Sequence, residues 1–273
     1  MMNLTESKLK TAMKTKPLCR SQKMRGREII LKENSHSLYV TENGVHKSSC
    51  IEVYYQVGQQ GTRLNMVLEL LAQLINEPAF NTLRTKEQLG YIVFSGLRRM
   101  YGVQGLRVII QSERHPNYLD SRIETFLESM VDHIENMSEK DFEQNKTALA
   151  ERRLEKPKKL TDRTSKFWSE IASQQFNFNR DEIETEELKS IGKEDVLDLL
   201  KTKVLAKSGQ RKKLSCHVVS MAEEGAGKLD QDLEPPTDVN TKVACPAEFK
   251  FRHAFHPVLE PFADPESMKK KTE

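Results

Sequence analysis

Several things are scarce in this 273-residue chain, and each scarcity excludes something. Cysteine is rare: Cys19, Cys50, Cys216 and Cys245 lie far apart and form no CxxC. That spacing gives neither a thiolate metal knuckle nor a secreted disulfide framework, and it fits a reducing compartment. Long hydrophobic runs are missing. Nothing approaches the roughly 18 apolar residues of a membrane span, and the opening MMNLTESKLKTAMKTK has no apolar middle, so it does not read as a secretory signal. An excess of one charge is missing too. With 43 Lys/Arg against 40 Asp/Glu the net charge is +3, too small to point to nucleic acid. The expectation is a cytoplasmic protein with no membrane and no nucleic-acid partner.

Recognisable catalytic chemistry is also lacking. HExxH and its inverse HxxEH set two imidazoles and a carboxylate on one helix face, and neither occurs. Nor do GxSxG, GxxxxGK[ST] or GxGxxG. His253 and His256 are three apart but have no adjacent Glu and sit beside Pro257. His217 follows Cys216 in a strand-like run, so the two point to opposite faces and form no dyad. The sequence assembles no nucleophile, base and orienting group. Catalytic residues and metal ligands are therefore both expected to be none.

What is present is a regular α+β pattern. Residues 1–26 form a basic arm; through Arg27 there are eight Lys/Arg against one Glu, Glu6. REIILKE and HSLYVTE read as strands, and Asn43-Gly44 predicts a hairpin into CIEVYYQ. Leu64, Val67, Leu68, Leu71, Leu74 and Ile75 recur at helical spacing, with an irregularity at Pro78. GYIVFSG and GLRVIIQS are two more strands around a loop LRRMYGVQ. A long helix after Pro116 carries Leu119, Ile123, Phe126, Leu127, Met130 and Ile134, and Ser138 caps the next. LTDRTSKFWSEIASQQF and GKEDVLDLLKTKVL predict two further helices, and KKLSCHVVSM a closing strand. The spacing thus predicts a mixed or antiparallel sheet covered on one face by several helices, over 27–221. Residues 222–273 read as a linker and strap, whose EFKFRHAFHPVLEPF docks back on the body.

One run, FNTLRTKEQLGYIVFSG, together with IEVYYQ, GLRVIIQSE and RRLEKPKKL, resembles the insulysins, a family of pitrilysin-type zinc peptidases with an HxxEH metal motif. The resemblance runs from about Lys16 to the closing strand, and weakly beyond. It is to the fourth, C-terminal domain of four, whereas that family's zinc and catalytic glutamate lie in the first. What it implies is a non-catalytic domain that forms part of a chamber wall. Arg84 and Tyr91 match the family's substrate-binding arginine and tyrosine, which contact the peptide backbone near the scissile bond. Arg152, Arg153, Lys156, Lys158 and Lys159 match a basic run at an anion site that takes nucleotide or polyphosphate. Zinc is expected in a catalytic N-terminal half, which, alone or within a full-length insulysin-like subunit, is the expected partner along with peptide substrates. The chain ends in MKKKTE, without the peroxisomal tripeptide of some insulysins. Rival readings are a regulatory module that binds such subunits, and a polyanion-binding domain. Arg152 and Arg153 have a competing role as ion-pair partners of the acidic stretch 181–187.

Overall fold

The computed structural model describes residues 2–16, 25–230 and 233–262. After a first helix, α1 (Met2–Ala12), come β1 (Ser35–Asn43), β2 (Ser49–Gln59), α2 (Thr62–Ala79), β3 (Ile92–Met100) and β4 (Val103–Ser112). Then follow α3 (Pro116–Glu135), α4 (Glu139–Leu154), α5 (Leu160–Ala172), α6 (Arg180–Leu188) and α7 (Lys193–Leu199). The chain closes with β5 (Lys212–Ser220), α8 (Ala226–Leu229), β6 (Thr241–Val243) and α9 (Pro246–Phe251).

The six strands make one mixed sheet in the order β3-β4-β2-β5-β1-β6. Alternation decides which face is dry. Ile51, Val53 and Tyr55 of β2, with Leu106, Val108 and Ile110 of β4, are completely buried beneath Leu68, Leu71 and Ile75 of α2 and Leu119 and Ile123 of α3. All six apolar positions expected on the α3 stripe are buried. The α4 cap forms as expected, with the Asp141 N–H donating to Ser138 Oγ at 3.1 Å. This is the α+β architecture that the periodicity implied.

Four local expectations are corrected. β1 and β2 do not pair as a hairpin, because β5 lies between them, parallel to β1 and antiparallel to β2. The Val45 N–H does donate to the Asn43 side-chain oxygen at 3.0 Å, but a strand more than 150 residues away supplies the partner for both edges. The loop LRRMYGVQ is instead a tight hairpin turn at Tyr101-Gly102, whose φ values are 48° and 79°. Both strands run into that turn, with Leu97 opposite Leu106. REIILKE is not a sheet strand; it makes a single antiparallel bridge, Ile29 to Phe255. Finally, α6 was not anticipated, since its polar sequence RDEIETEEL has little apolar period.

The arm has helix α1, whose side chains from Leu4 to Ala12 are exposed; the rest of the arm, residues 17–24 with Cys19, lies outside the described residues. The 222–262 stretch adds β6 alongside β1 and returns over the sheet, where Ile30 N–H donates to the Ala254 carbonyl at 2.7 Å. MKKKTE also lies outside the described residues. Among those described, no helix is long and apolar enough to cross a membrane.

Candidate functional site

The candidate surface is created where α2 fails to end. Pro78 lacks an N–H, so the regular i→i−4 ladder is broken near the helix terminus, and the chain widens into a π-helical segment, Phe80–Lys86. The Glu87 N–H then reaches five residues back to the Thr82 carbonyl, at 2.9 Å. Such wide turns re-aim side chains and are frequent at functional sites. Gln88 follows with φ 51°, in the left-handed region, which reverses the chain towards β3. Gly90 is required here: a Cβ at this position would overlap the Gln111 carbonyl oxygen of β4.

That path brings the two expected substrate-binding residues together. The Arg84 guanidinium carbon lies 4.7 Å from the Phe80 ring centroid and 5.2 Å from that of Tyr91. Tyr91 is 84% exposed, so its hydroxyl faces solvent rather than a protein partner. Phe80 completes the stack; it stands four residues before Arg84, a helical spacing that was legible. The loop between helix and strand is clamped from α3. Arg122 grips Glu87 with two parallel bonds, Nε to Oε2 and Nη2 to Oε1, each 2.8 Å. This bidentate geometry is the strong form of the pair, and no local signal foretold it. Beyond Tyr91, Ile92 and Phe94 are exposed on β3, which is the terminal strand of the sheet.

The basic run divides. Arg153 turns inward to Glu69 at 2.5 Å, Glu184 at 2.7 Å and Asp181 at 3.0 Å. Burial works against its charge, but Glu69, Glu184 and Asp181 together hold its pKa above the ordinary arginine value. Arg152, Lys156, Lys158 and Lys159 remain exposed, and Lys158 meets Glu155 at 2.7 Å.

A buried polar chain lies under β1 and β5, and sequence reasoning missed it. His36 Nδ1 is 2.8 Å from Asp238, His36 Nε2 is 2.9 Å from Ser215 Oγ, and that hydroxyl donates to Asp120 at 2.8 Å. Lys213 and His217 also meet Asp120. The order carboxylate, imidazole, hydroxyl is the connectivity of a hydrolytic relay. Ser215 and His36 are 0% and 1% exposed, however, and the serine proton is committed to Asp120. No substrate carbonyl reaches it, so the group ties the strap to the sheet. Although burial pushes the other way, Lys213 and His217 hold the Asp120 carboxyl far below its usual range.

The described residues do not fit a zinc ion. Among the described residues, no group of three or more His, Cys, Asp or Glu is placed to hold a metal. His253 and His256 diverge, to the Phe249 carbonyl at 2.6 Å and towards Gln56 at 3.5 Å.

This fold is that of a pitrilysin-type peptidase domain: the crystal structure of pitrilysin matches with a TM-score of 0.69 over 85% of this chain and 26% of that one, at 18% identity. A family model described as PQQ synthase PqqF-like, C-terminal lobe domain 4, matches residues 70–168. The chain is 51% identical over 219 residues to an insulin-degrading enzyme of Bos taurus, covering 80% of this chain and 22% of that protein. Against that of Mus musculus it is 43% identical over 270 residues, 95% of this chain and 26% of that protein. The chain is thus a homologue of the insulin-degrading enzymes, in a partial, C-terminal-like match. It spans about a quarter of the length of the relatives it matches.

Proposed function

We propose that this chain is a non-catalytic, substrate-binding domain of an insulysin-like zinc metalloendopeptidase, forming part of the chamber wall. The reading is carried by one observation, the Phe80–Arg84–Tyr91 stack with its exposed phenol beside the terminal strand β3. The guanidinium offers a planar fork of donors to peptide carbonyls. The phenol donates to a carbonyl oxygen as it gains negative charge, and losing one such donor typically costs ~2.7–4 kcal/mol of barrier. An extended peptide along the open edge of β3 would reach both. Zinc, with the activated water it supplies, belongs to a catalytic N-terminal half, the proposed partner.

The test mixes the full chain with a separately expressed catalytic half and follows cleavage of a fluorogenic peptide. The expected result is no cleavage by this chain alone, a gain on mixing, and a fall of about 10²-fold or more with Tyr91→Phe. Equal activity of the Tyr91→Phe and parent mixtures would overturn the assignment and favour the rival, a module that binds insulysin-like subunits without touching substrate.

A second reading concerns anions. Exposed Arg152, Lys156, Lys158 and Lys159 favour a polyphosphate or nucleotide contact driven by Coulomb attraction. Tripolyphosphate affinity that falls steeply with salt supports it; salt-independent binding would count against it.

A further inference from the structure

β3 is the terminal strand of the sheet, and the phase of its ladder decides which backbone groups face outward. Tyr101-Gly102 is a two-residue turn with both φ positive, so Met100 and Val103 flank it as a hydrogen-bonded pair. Bonded pairs then alternate back through Arg98 with Gly105, Gly96 with Arg107 and Phe94 with Ile109 to Ile92 with Gln111. The N–H and C=O groups of Val93 and Ser95 therefore point away from β4. One bond agrees with that phase: the Ser95 carbonyl accepts from Asn76 Nδ2 at 3.0 Å. Val93 has no such cover. Neither its N–H nor its C=O is bonded among the described residues.

Side chains fix what can lie alongside. Val93 packs towards the helices, so Ile92 and Phe94 stand on the opposite face of the sheet. They are 45% and 40% exposed. The Phe94 ring lies over Gly96, where a Cβ would come within 2.9 Å of it, and the Arg107 guanidinium sits 5.2 Å from its centroid. The ring is thus held in place without being covered. Natural edge strands are guarded by charge, proline or a bulge. From Tyr91 to Ser95 this edge has no charge and no proline, and its register with β4 is unbroken. Farther along it is closed, by Asn76 at Ser95 and by the charges of Arg98 and Arg99. The open stretch is one free backbone pair between two exposed apolar side chains, and it begins at Tyr91. That length suits a short extended segment rather than the long strand of a second copy.

We propose that β3 takes up a substrate peptide as an added antiparallel strand. One peptide residue exchanges both backbone bonds with Val93, and its two neighbours lay apolar side chains against Ile92 and Phe94. The inference deepens the substrate-binding reading above and rests on it. Antiparallel addition is the geometry in which a single residue exchanges both bonds. It makes Ile92 and Phe94 specificity-determining residues, which favour large apolar side chains on either side of the paired position.

The probe is a fluorescein-labelled nonapeptide of serines with leucine, threonine and leucine at its centre, titrated by fluorescence anisotropy into the full, unmutated chain. Methylating the threonine nitrogen removes the bond to the Val93 carbonyl and should weaken binding about tenfold. Methylating either leucine nitrogen, which points away from β3, should change it less than about twofold. Replacing either leucine by serine should cost about two- to fivefold. Phe94→Ser should erase the preference at one leucine position and leave the other. Equal losses at all three nitrogens, no measurable binding, or an unchanged leucine preference in Phe94→Ser would each overturn the pairing. So would a dimer of the chain that the probe does not dissociate, which would give the edge to a second copy. None of these readouts involves cleavage. A mixed-half activity that falls with Tyr91→Phe, beside a flat methylation scan, would sink the strand addition and leave the substrate-binding reading standing.

Discussion

The Arg84 guanidinium lies over the Tyr91 ring, 5.2 Å from its centroid, although a π-helical segment, a left-handed Gln88 and the start of a strand separate the two residues. Exposed cation–π contacts contribute roughly 0.5–1 kcal/mol. The pair is thus positioned by the fold while adding little to it. Arg84→Ala and Tyr91→Ala should each lower folding stability by about 1 kcal/mol or less in urea titrations. A double-mutant cycle should return a coupling of similar size. A loss of several kcal/mol from either change would make these side chains structural and remove them from the substrate surface.

Arg153 differs from its basic neighbours, because it is mostly buried among three carboxylates. Removing one partner of such a group leaves charge buried without compensation, at ~3–5 kcal/mol. Arg153→Ala should therefore cut stability by that order and leave tripolyphosphate binding by the folded fraction unchanged. Lys158→Ala and Lys159→Ala, both exposed, should do the reverse. Equilibrium unfolding and calorimetry on the same variants separate the two roles. An Arg153→Ala chain of parental stability would refute the ion-pair assignment.

What the sequence made legible follows from range. The α3 stripe and the Ser138 cap are decided within a few residues, and both formed as read. The position of β5 between β1 and β2 depends on pairing Tyr39 and Glu52 with Cys216, which no local pattern encodes. At the site, Arg84 and Tyr91 were reached through a resemblance, since an arginine and a tyrosine seven apart carry no geometric message in themselves. The π-helical widening and Gln88 supply that message. The Glu87–Arg122 clamp and the Asp120 cluster join residues from distant segments, so their polar letters read only as surface charge.

Asp238 offers a pH handle on the strap. Burial alone would raise its pKa, but the hydrogen bond with His36 and the charges of Lys213, His36 and Arg211 bring it down from 3.8 to about 2. A carboxylate depressed by folding contributes stability that is fully present above its unfolded value and lost as pH falls through the folded one. The strap should accordingly loosen between about pH 4 and pH 2, seen as faster proteolysis after residue 222. The contribution is modest, because the Asp238 side chain is 36% exposed and solvent screens it. Asp238→Asn should flatten that pH response and give a strap already loosened at neutral pH. An unaltered acid response in Asp238→Asn would assign the transition to Asp120 or another group.

The Arg122–Glu87 clamp leads to a sharper expectation, because it fixes the loop that delivers Tyr91 without facing the peptide itself. Glu87 is a positioning residue in this scheme. Replacing it with Gln keeps the shape but removes one of the two charge-assisted bonds at 2.8 Å. The pair is partly exposed, so the stability change should be about 1 kcal/mol or less. Activity in the mixed-half assay should fall further than that, with kcat affected more than KM, since a misplaced phenol weakens the transition state more than ground-state binding. Tyr91→Phe should add little on top of Glu87→Gln, because both remove the same donor from the same place. Fully additive losses would mean that Glu87 acts on something other than Tyr91, and the clamp would then be a feature of the α3 packing alone.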